Sequence, residues 1–410
     1  MLLKRERGIG ILCLTLIYIG HSISYFFLPR SKEEKRRRSE AMLDESYKIQ
    51  SDEEPPSTAT EVAEQLRNTS ITNEDDEEAP DSHQGAGNSR GIEVIPDTHL
   101  DYISADSELT ADLPDDTESI DLIHLKIRSL EDLNLLRFRQ LKSLCLRQNL
   151  IESISELEVL PADTMEELDF YDNRIKHISS NLNTLVNLKN LDLSFNNIKH
   201  IKNIDRLVNL ENLYFVQNKI SKIENLSTLR KLKNLELGGN RITEIGTDSL
   251  KGLDNLEEIW LGKNAIPRLI NLHHLKSLRV LSIQGNRLRK LEGLEELENL
   301  EELYVSNNFI SKIEGLEHNK KLTVLDVTSN KITKIENVGH LSELTDLWAS
   351  FNQIDQSFES LGEELKNLTQ FETIYLEGNP IQTKNQTSYR RKLMLNLGPS
   401  LQKIDATFIR

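Results

Sequence analysis

From residue 118 onward the apolar positions recur in a fixed order with a long period. Each unit has apolar residues at its first, fourth and sixth positions and an asparagine at its ninth, as in "LKNLDLSFN", "LEELYVSNN" and "LTDLWASFN". Eleven units match, with asparagines at Asn149, Asn173, Asn196, Asn218, Asn240, Asn264, Asn286, Asn308, Asn330, Asn352 and Asn379, mostly 22 residues apart with longer steps of 24 (twice), 23 and 27. Positions four and six of a short strand point to one side, into a core that no unit can bury without neighbours, and position five points to the other. The second half of a unit, such as "KISKIENLSTL", supplies Ile and Leu that close the core from behind. Only turns or short 3-10 pieces fit into so short a unit. An asparagine has two donor hydrogens and an acceptor, so a buried column of them can satisfy backbone groups at the turn that leaves the strand.

This is the leucine-rich-repeat signature. It predicts an α/β solenoid with a concave parallel β-sheet, convex turns and 3-10 segments, and caps at both ends. "TESIDLIHL" reads as a degenerate twelfth repeat with Leu125 in place of the asparagine, so repeats run over 118–380. Residues 381–410 supply the C-terminal cap: Pro380 stops the strand pattern, and "SYRRKLMLNL" reads as an amphipathic helix laid over the last repeat.

Position five, read down the repeats, is Cys145, Asp169, Asp192, Tyr214, Glu236, Trp260, Ser282, Tyr304, Asp326, Trp348 and Tyr375. Both tryptophans of the chain fall in this concave column, with three tyrosines, four carboxylates and no lysine or arginine. Aromatics suit strands and can pair across them, but that does not account for five aromatics and four acids with basic residues excluded. Exposed aromatics beside charge are the composition of interface hot spots, and the carboxylates imply a partner surface bearing Lys or Arg. On this view, Trp260→Ala with Trp348→Ala removes binding and leaves melting unchanged.

Charge divides the rest of the chain. Of the net −16, residues 1–38 carry +6, residues 39–117 carry −19 and the remainder −3. The acidic segment, with "NEDDEEAPDS" and "TADLPDDTES", is too poor in apolar residues to offset its ordering entropy and reads as disordered. Residues 8–29 are uncharged and flanked by "KRER" and "RSKEEKRRR", long enough for a membrane-spanning helix. The alternative is a start at Met42, the only methionine between Met1 and the repeats. An acidic chain argues against nucleic-acid binding. Two cysteines, Cys13 and Cys145, are too few for a disulfide framework. No phosphate-binding loop, nucleophile elbow or zinc-protease motif is present, and the histidines have no metal-ligand spacing, so neither catalysis nor a metal or other cofactor is expected.

"LCLRQNLI", "ELDFYDNRIKHI", "NKISKIENLSTL", "LTVLDVTSNKITKIENV" and the ending "YRRKLMLNLGPSLQKIDATFIR" together closely resemble the leucine-rich-repeat regulatory subunit of protein phosphatase 1, the regulatory subunit 7 family. The resemblance covers about residues 118–410. It implies that the concave face binds the phosphatase catalytic subunit through Asp192, Tyr214, Glu236, Trp260, Asp326, Asp346, Trp348 and Tyr375, with Asp169 and Tyr304 as further concave candidates. Tyr214 and Trp260 stand where the family pattern has phenylalanine, and Asp346 where it has glutamate. It also implies control of phosphatase maturation, location or specificity in mitosis, a further phosphatase inhibitor in a ternary complex, and nuclear and cytoplasmic location. A membrane contact would require that residues 8–29 be retained. Rival readings are a spliceosomal-type adaptor and a membrane-anchored scaffold.

Overall fold

In the computed structural model, residues 106–409 are described; the apolar segment at 8–29, the basic cluster beside it and most of the acidic region lie outside them. Twelve three-residue strands each hold positions three to five of a repeat: β1 (Ser119–Asp121), β2 (Ser143–Cys145), β3 (Glu167–Asp169), β4 (Asn190–Asp192), β5 (Asn212–Tyr214), β6 (Asn234–Glu236), β7 (Glu258–Trp260), β8 (Val280–Ser282), β9 (Glu302–Tyr304), β10 (Val324–Asp326), β11 (Asp346–Trp348) and β12 (Thr373–Tyr375). They pair in parallel, each with the next, and equivalent positions face each other without slippage, as Leu325 does Leu347. Register is set by the repeat itself: a one-residue slip would turn every core leucine to the opposite face. The core is one continuous apolar cluster from Ile120 to Ile404.

The asparagines act as the sequence predicts. Asn286 is typical: its Nδ2 donates to the carbonyls of Leu261 (3.0 Å) and Ile283 (3.1 Å), and its Oδ1 accepts the Ile266 N–H at 2.9 Å. Every asparagine follows a residue in the left-handed region, with φ of 54° to 74° at all eleven turns, although only Gly239, Gly285 and Gly378 there are glycine. Gly378 is required for a second reason, since any side chain on it would overlap the Phe351 ring. A second polar column escapes the sequence reading. Asn203, Asn225, Asn271 and Asn337, also at positive φ, donate through Nδ2 to Ile178, Ile201, Ile245 and Ile313 of the preceding repeat at 2.6 to 2.7 Å.

The convex side follows unit length. The longer early units hold 3-10 turns at Ser155–Val159 and Ser180–Thr184, and the 27-residue unit ending at Asn379 has room for a helix, α2 (Phe358–Leu365), which the sequence reading did not anticipate. Its N-cap Ser357 accepts the Ser360 N–H. The C-terminal cap comprises α3 (Pro380–Thr383) and α4 (Tyr389–Asn396), with Tyr389 beside Phe358 of α2 at 6.4 Å between ring centres. The sheet also runs on into a hairpin that the period could not reveal: β13 (Lys403–Ile404) pairs in parallel with β12, and β14 (Thr407–Phe408) antiparallel with β13. There Asp405, level with Tyr375 at position five, closes the edge with its side chain, its Oδ1 accepting the N–H groups of Leu376 and Glu377.

The composition of 39–117 misleads at its end. Residues 106–117 are ordered and cap the first repeat through α1 (Glu108–Ala111). Leu109 and Leu113, one helical turn apart, pack on the core, the buried Thr110 hydroxyl donates to Leu133 O at 2.8 Å, and Arg137 bonds Leu113 O (2.8 Å) and Asp115 (2.6 Å). Averaging over an acidic window hides two leucines at helical spacing.

Along the edge where the strands begin, Glu118, Lys142, Glu166, Lys189, Glu211, Lys233, Glu257, Arg279 and Glu301 alternate in sign at position two of nine consecutive repeats. Neighbours pair across repeats, as in Lys142–Glu118 (2.7 Å), Lys189–Glu166 (2.8 Å), Lys233–Glu211 (2.7 Å) and Arg279–Glu301 (2.8 Å). Exposed pairs add little stability individually; their consequence is that this edge is electrically self-satisfied.

Candidate functional site

Each residue of the position-five column ends its strand, and the register brings the column together: Asp169 faces Asp192, which faces Tyr214, then Glu236, then Trp260. The line continues through Ser282, Tyr304, Asp326 and Trp348 to Tyr375. Of these residues, none joins the apolar core cluster, which confirms that they occupy the other face of the sheet.

Their exposure differs from the sequence expectation. Trp348 is only 2% exposed, Tyr304 3% and Asp326 2%, while Trp260 and Tyr375 are half-buried. The reason is spacing. Parallel strands lie about 4.8 Å apart, too close for a ring on every one to stand upright. Rings therefore lean over smaller neighbours. Trp260 stacks on Tyr304 across Ser282 (6.1 Å, 20°), Tyr304 meets Trp348 across Asp326 (6.1 Å, 49°), and Trp348 meets Tyr375 edge-on (6.2 Å, 67°). The column is a continuous aromatic pavement from Trp260 to Tyr375 and not a row of free-standing anchors.

Position three, on the same face by strand alternation, contributes carboxylates that column five alone does not reveal. Glu302 Oε2 accepts the Tyr304 hydroxyl at 2.8 Å, and Glu258 Oε2 accepts the Trp260 indole N–H at 3.3 Å. The E-x-W and E-x-Y spacing is the signal that would have found them. Asp346 has the equivalent place before Trp348, but its Oδ2 accepts the Thr345 hydroxyl instead (2.7 Å), and among the described residues the buried Trp348 indole N–H has no acceptor.

The other half of the column is acidic. Burial, then the neighbouring Asp192 carboxylate, pushes the Asp169 pKa up to about 6, against the opposing pull of Arg147, whose Nη1 lies 2.9 Å away. Burial likewise raises Asp192 and Asp326, whose carboxylates accept the N–H groups of Ser194 (2.8 Å) and Thr328 (2.9 Å). Burial first, with Glu236 and Asp192 adding, also raises the Tyr214 phenol, and burial pushes the Cys145 thiol up to about 11. The column excludes basic residues, but its ends do not: Arg147 stacks on Tyr171 (4.2 Å) beside Asp169, and Lys403 lies over the rings of Tyr375 (5.2 Å) and Phe408 (5.6 Å).

A carboxyl whose pKa is higher in the folded than in the unfolded state binds protons more tightly when folded, so its contribution favours folding at low pH and is lost as pH rises. For Asp169 that loss falls between about pH 4 and pH 6. Asp169→Asn, which cannot ionise, is expected to flatten this part of the stability profile in melts taken from pH 4 to 7; an unchanged slope would show that the group titrates normally.

Among the described residues, no cluster of three or more His, Cys, Asp or Glu is placed to hold a metal ion. What the face offers is a ridge of rings at one end and, at the other, half-buried Asp169 and Asp192 with buried Glu236, Asp169 being paired with Arg147.

Family models described as leucine rich repeat match residues 230–288, 276–318 and 298–341. Protein phosphatase 1 regulatory subunit SDS22 of Saccharomyces cerevisiae is 77% identical over 338 residues, a match covering 82% of this chain and 98% of that protein. Protein phosphatase 1 regulatory subunit 7 of Danio rerio is 60% identical over 48 residues, 12% of this chain and 13% of that relative. Among solved structures, an internalin from Listeria monocytogenes has a TM-score of 0.55 at 24% identity, covering 74% of this chain and 89% of its own, a likeness of fold alone.

Proposed function

This chain belongs to the leucine-rich-repeat family of protein phosphatase 1 regulatory subunits, and from that membership we propose that it is a non-catalytic scaffold that clasps the phosphatase catalytic subunit against the sheet face. The observation that carries the proposal is the continuous ring pavement from Trp260 to Tyr375, joined in register to the acids at Glu236, Asp192 and Asp169. Half-buried Trp260 and Tyr375 supply contact area at the pavement's surface, and Tyr304, Trp348 and Asp326 support them from beneath. Half-buried Asp192 and Asp346 steer Lys or Arg of the phosphatase and fix its orientation, with buried Glu236 behind them. The regulator thereby governs maturation, location or specificity of the phosphatase, in the nucleus and cytoplasm and during mitosis, with room for a phosphatase inhibitor in a ternary complex. Among the described residues, no helix is long and apolar enough to cross a membrane.

The test uses residues whose removal spares the packed layer. Trp260→Ala with Asp346→Lys, both partly exposed, is expected to reduce capture of the catalytic subunit at least ~30-fold, on a loss of about 2 kcal/mol or more typical of a hot-spot truncation. Circular dichroism of the variant should match the parent. Undiminished capture would show that the phosphatase does not dock on the sheet face.

A further inference from the structure

The flank on which the chain leaves the sheet differs in charge from the flank on which it enters. One residue after the repeat asparagine stand Arg174, Lys219, Arg241, Arg287 and Lys331, and none of the eleven residues at this position is acidic. Backbone bonds hold them in one row: the N–H of each donates to the preceding repeat, as Arg174 to Ile151 (2.9 Å), Arg241 to Ile220 (2.8 Å) and Lys331 to Ile310 (2.8 Å). Successive rungs of such a ladder are about 5 Å apart, so the five cations form a single file along most of the solenoid.

Three observations indicate that this row is available to a partner. Among the described residues, none of the five makes an ion pair, in contrast to the alternating pairs of the opposite edge. The glutamates five residues beyond Arg287, Phe309 and Lys331 are engaged by other groups: Glu292 by Arg268 (2.7 Å), Glu314 by Lys290 (4.0 Å) and Glu336 by Lys312 (3.9 Å). All but half-buried Lys219 are exposed, and Phe309, 45% exposed, stands in the same row between Arg287 and Lys331 with Lys331 Nζ 5.3 Å from its ring centre.

We propose that this flank is a second docking surface, which takes an extended aspartate- or glutamate-rich segment of another protein. A file one side chain wide suits a single extended polypeptide, whose carboxylates can reach successive cations. A nucleic acid is disfavoured, because its wider phosphate backbone would also meet the paired glutamates and the field of a chain with net charge −16. The solenoid is then electrically two-sided, with an acidic sheet face for a basic surface and a basic flank for an acidic segment, and both can be occupied together.

The test is fluorescence anisotropy of a labelled ten-residue polyglutamate peptide with the full chain. Binding is expected, weakening as salt rises, and Arg241→Glu, Arg287→Glu and Lys331→Glu combined should weaken it at least ~10-fold, because charge reversal removes steering and contact together. Trp260→Ala should leave peptide binding unchanged while impairing phosphatase capture, so failure here and failure of the sheet-face reading are separable. The proposal is overturned if the peptide does not bind the parent chain, if the triple variant binds it equally well, or if a single-stranded oligonucleotide of the same charge binds more tightly than the peptide. Matching melting curves of parent and variant exclude unfolding as the cause.

Discussion

Trp348→Ala is expected to lower the melting temperature as well as remove phosphatase binding, contrary to what a freely exposed tryptophan would do. The indole is 2% exposed, lies 6.1 Å from Tyr304 and 6.2 Å from Tyr375, and covers the buried Asp326. Deleting it opens a gap bounded by two rings and a buried carboxylate. Truncation of a packed tryptophan costs about 3 kcal/mol or more, roughly 5–10 °C in a domain of this size. Because each repeat contacts only its neighbours, the loss should concentrate near β10 to β12, where hydrogen exchange would report it. Trp348→Phe separates the effects. It keeps a ring in the stack and removes a buried donor that has no acceptor among the described residues, so its stability should stay within about 1 kcal/mol of the parent. Unchanged melting of Trp348→Ala would mean that the ring layer adds nothing to the fold.

The second large effect is expected at Asn286. In Asn286→Ala, the Ile266 N–H loses its buried acceptor, while the carbonyls of Leu261 and Ile283 each lose one of two donors and keep Asn264 and Asn308 respectively. At about 1–3 kcal/mol for the one buried N–H left unsatisfied, with the two weakened carbonyls adding to it, the loss should reach ~2 kcal/mol. Urea titration of the pair of proteins would measure it. Asn286→Asp is the informative companion. It retains the acceptor for Ile266 but presents a carboxylate to carbonyls, so only its protonated form can donate. Its pKa in the fold must then lie above the unfolded value, and stability should be recovered as pH falls and lost as pH rises. A variant indifferent to pH would show that the donor bonds are dispensable.

Asp405 has a different role, at position five of the closing strand. Its Oδ1 accepts the N–H groups of Leu376 and Glu377 and the Tyr389 hydroxyl, so for Leu376 it takes the place of the next strand's carbonyl, as Tyr375 O serves Ala349 N inside the solenoid. A carboxylate suffices there, because each of these groups is a donor.

Sequence alone determined the period, the strand positions, the asparagine turns and the composition of the sheet-face column, because each depends on chemistry repeated at fixed spacing within one unit. Only the tertiary structure decided how far those columns are exposed. Rings at positions fixed by sequence become support or surface according to what stands one strand away, so Trp348 is covered and Trp260 only half-buried. It also decided which residues outside the column act on it, since Arg147 and Lys403 reach its ends from other positions and Glu258 and Glu302 clasp its rings. The remaining surprises, the capping turn at 106–117, α2 and the closing hairpin, lie where the period ends or stretches. There, burial against a neighbouring repeat, which no local pattern records, selects the conformation.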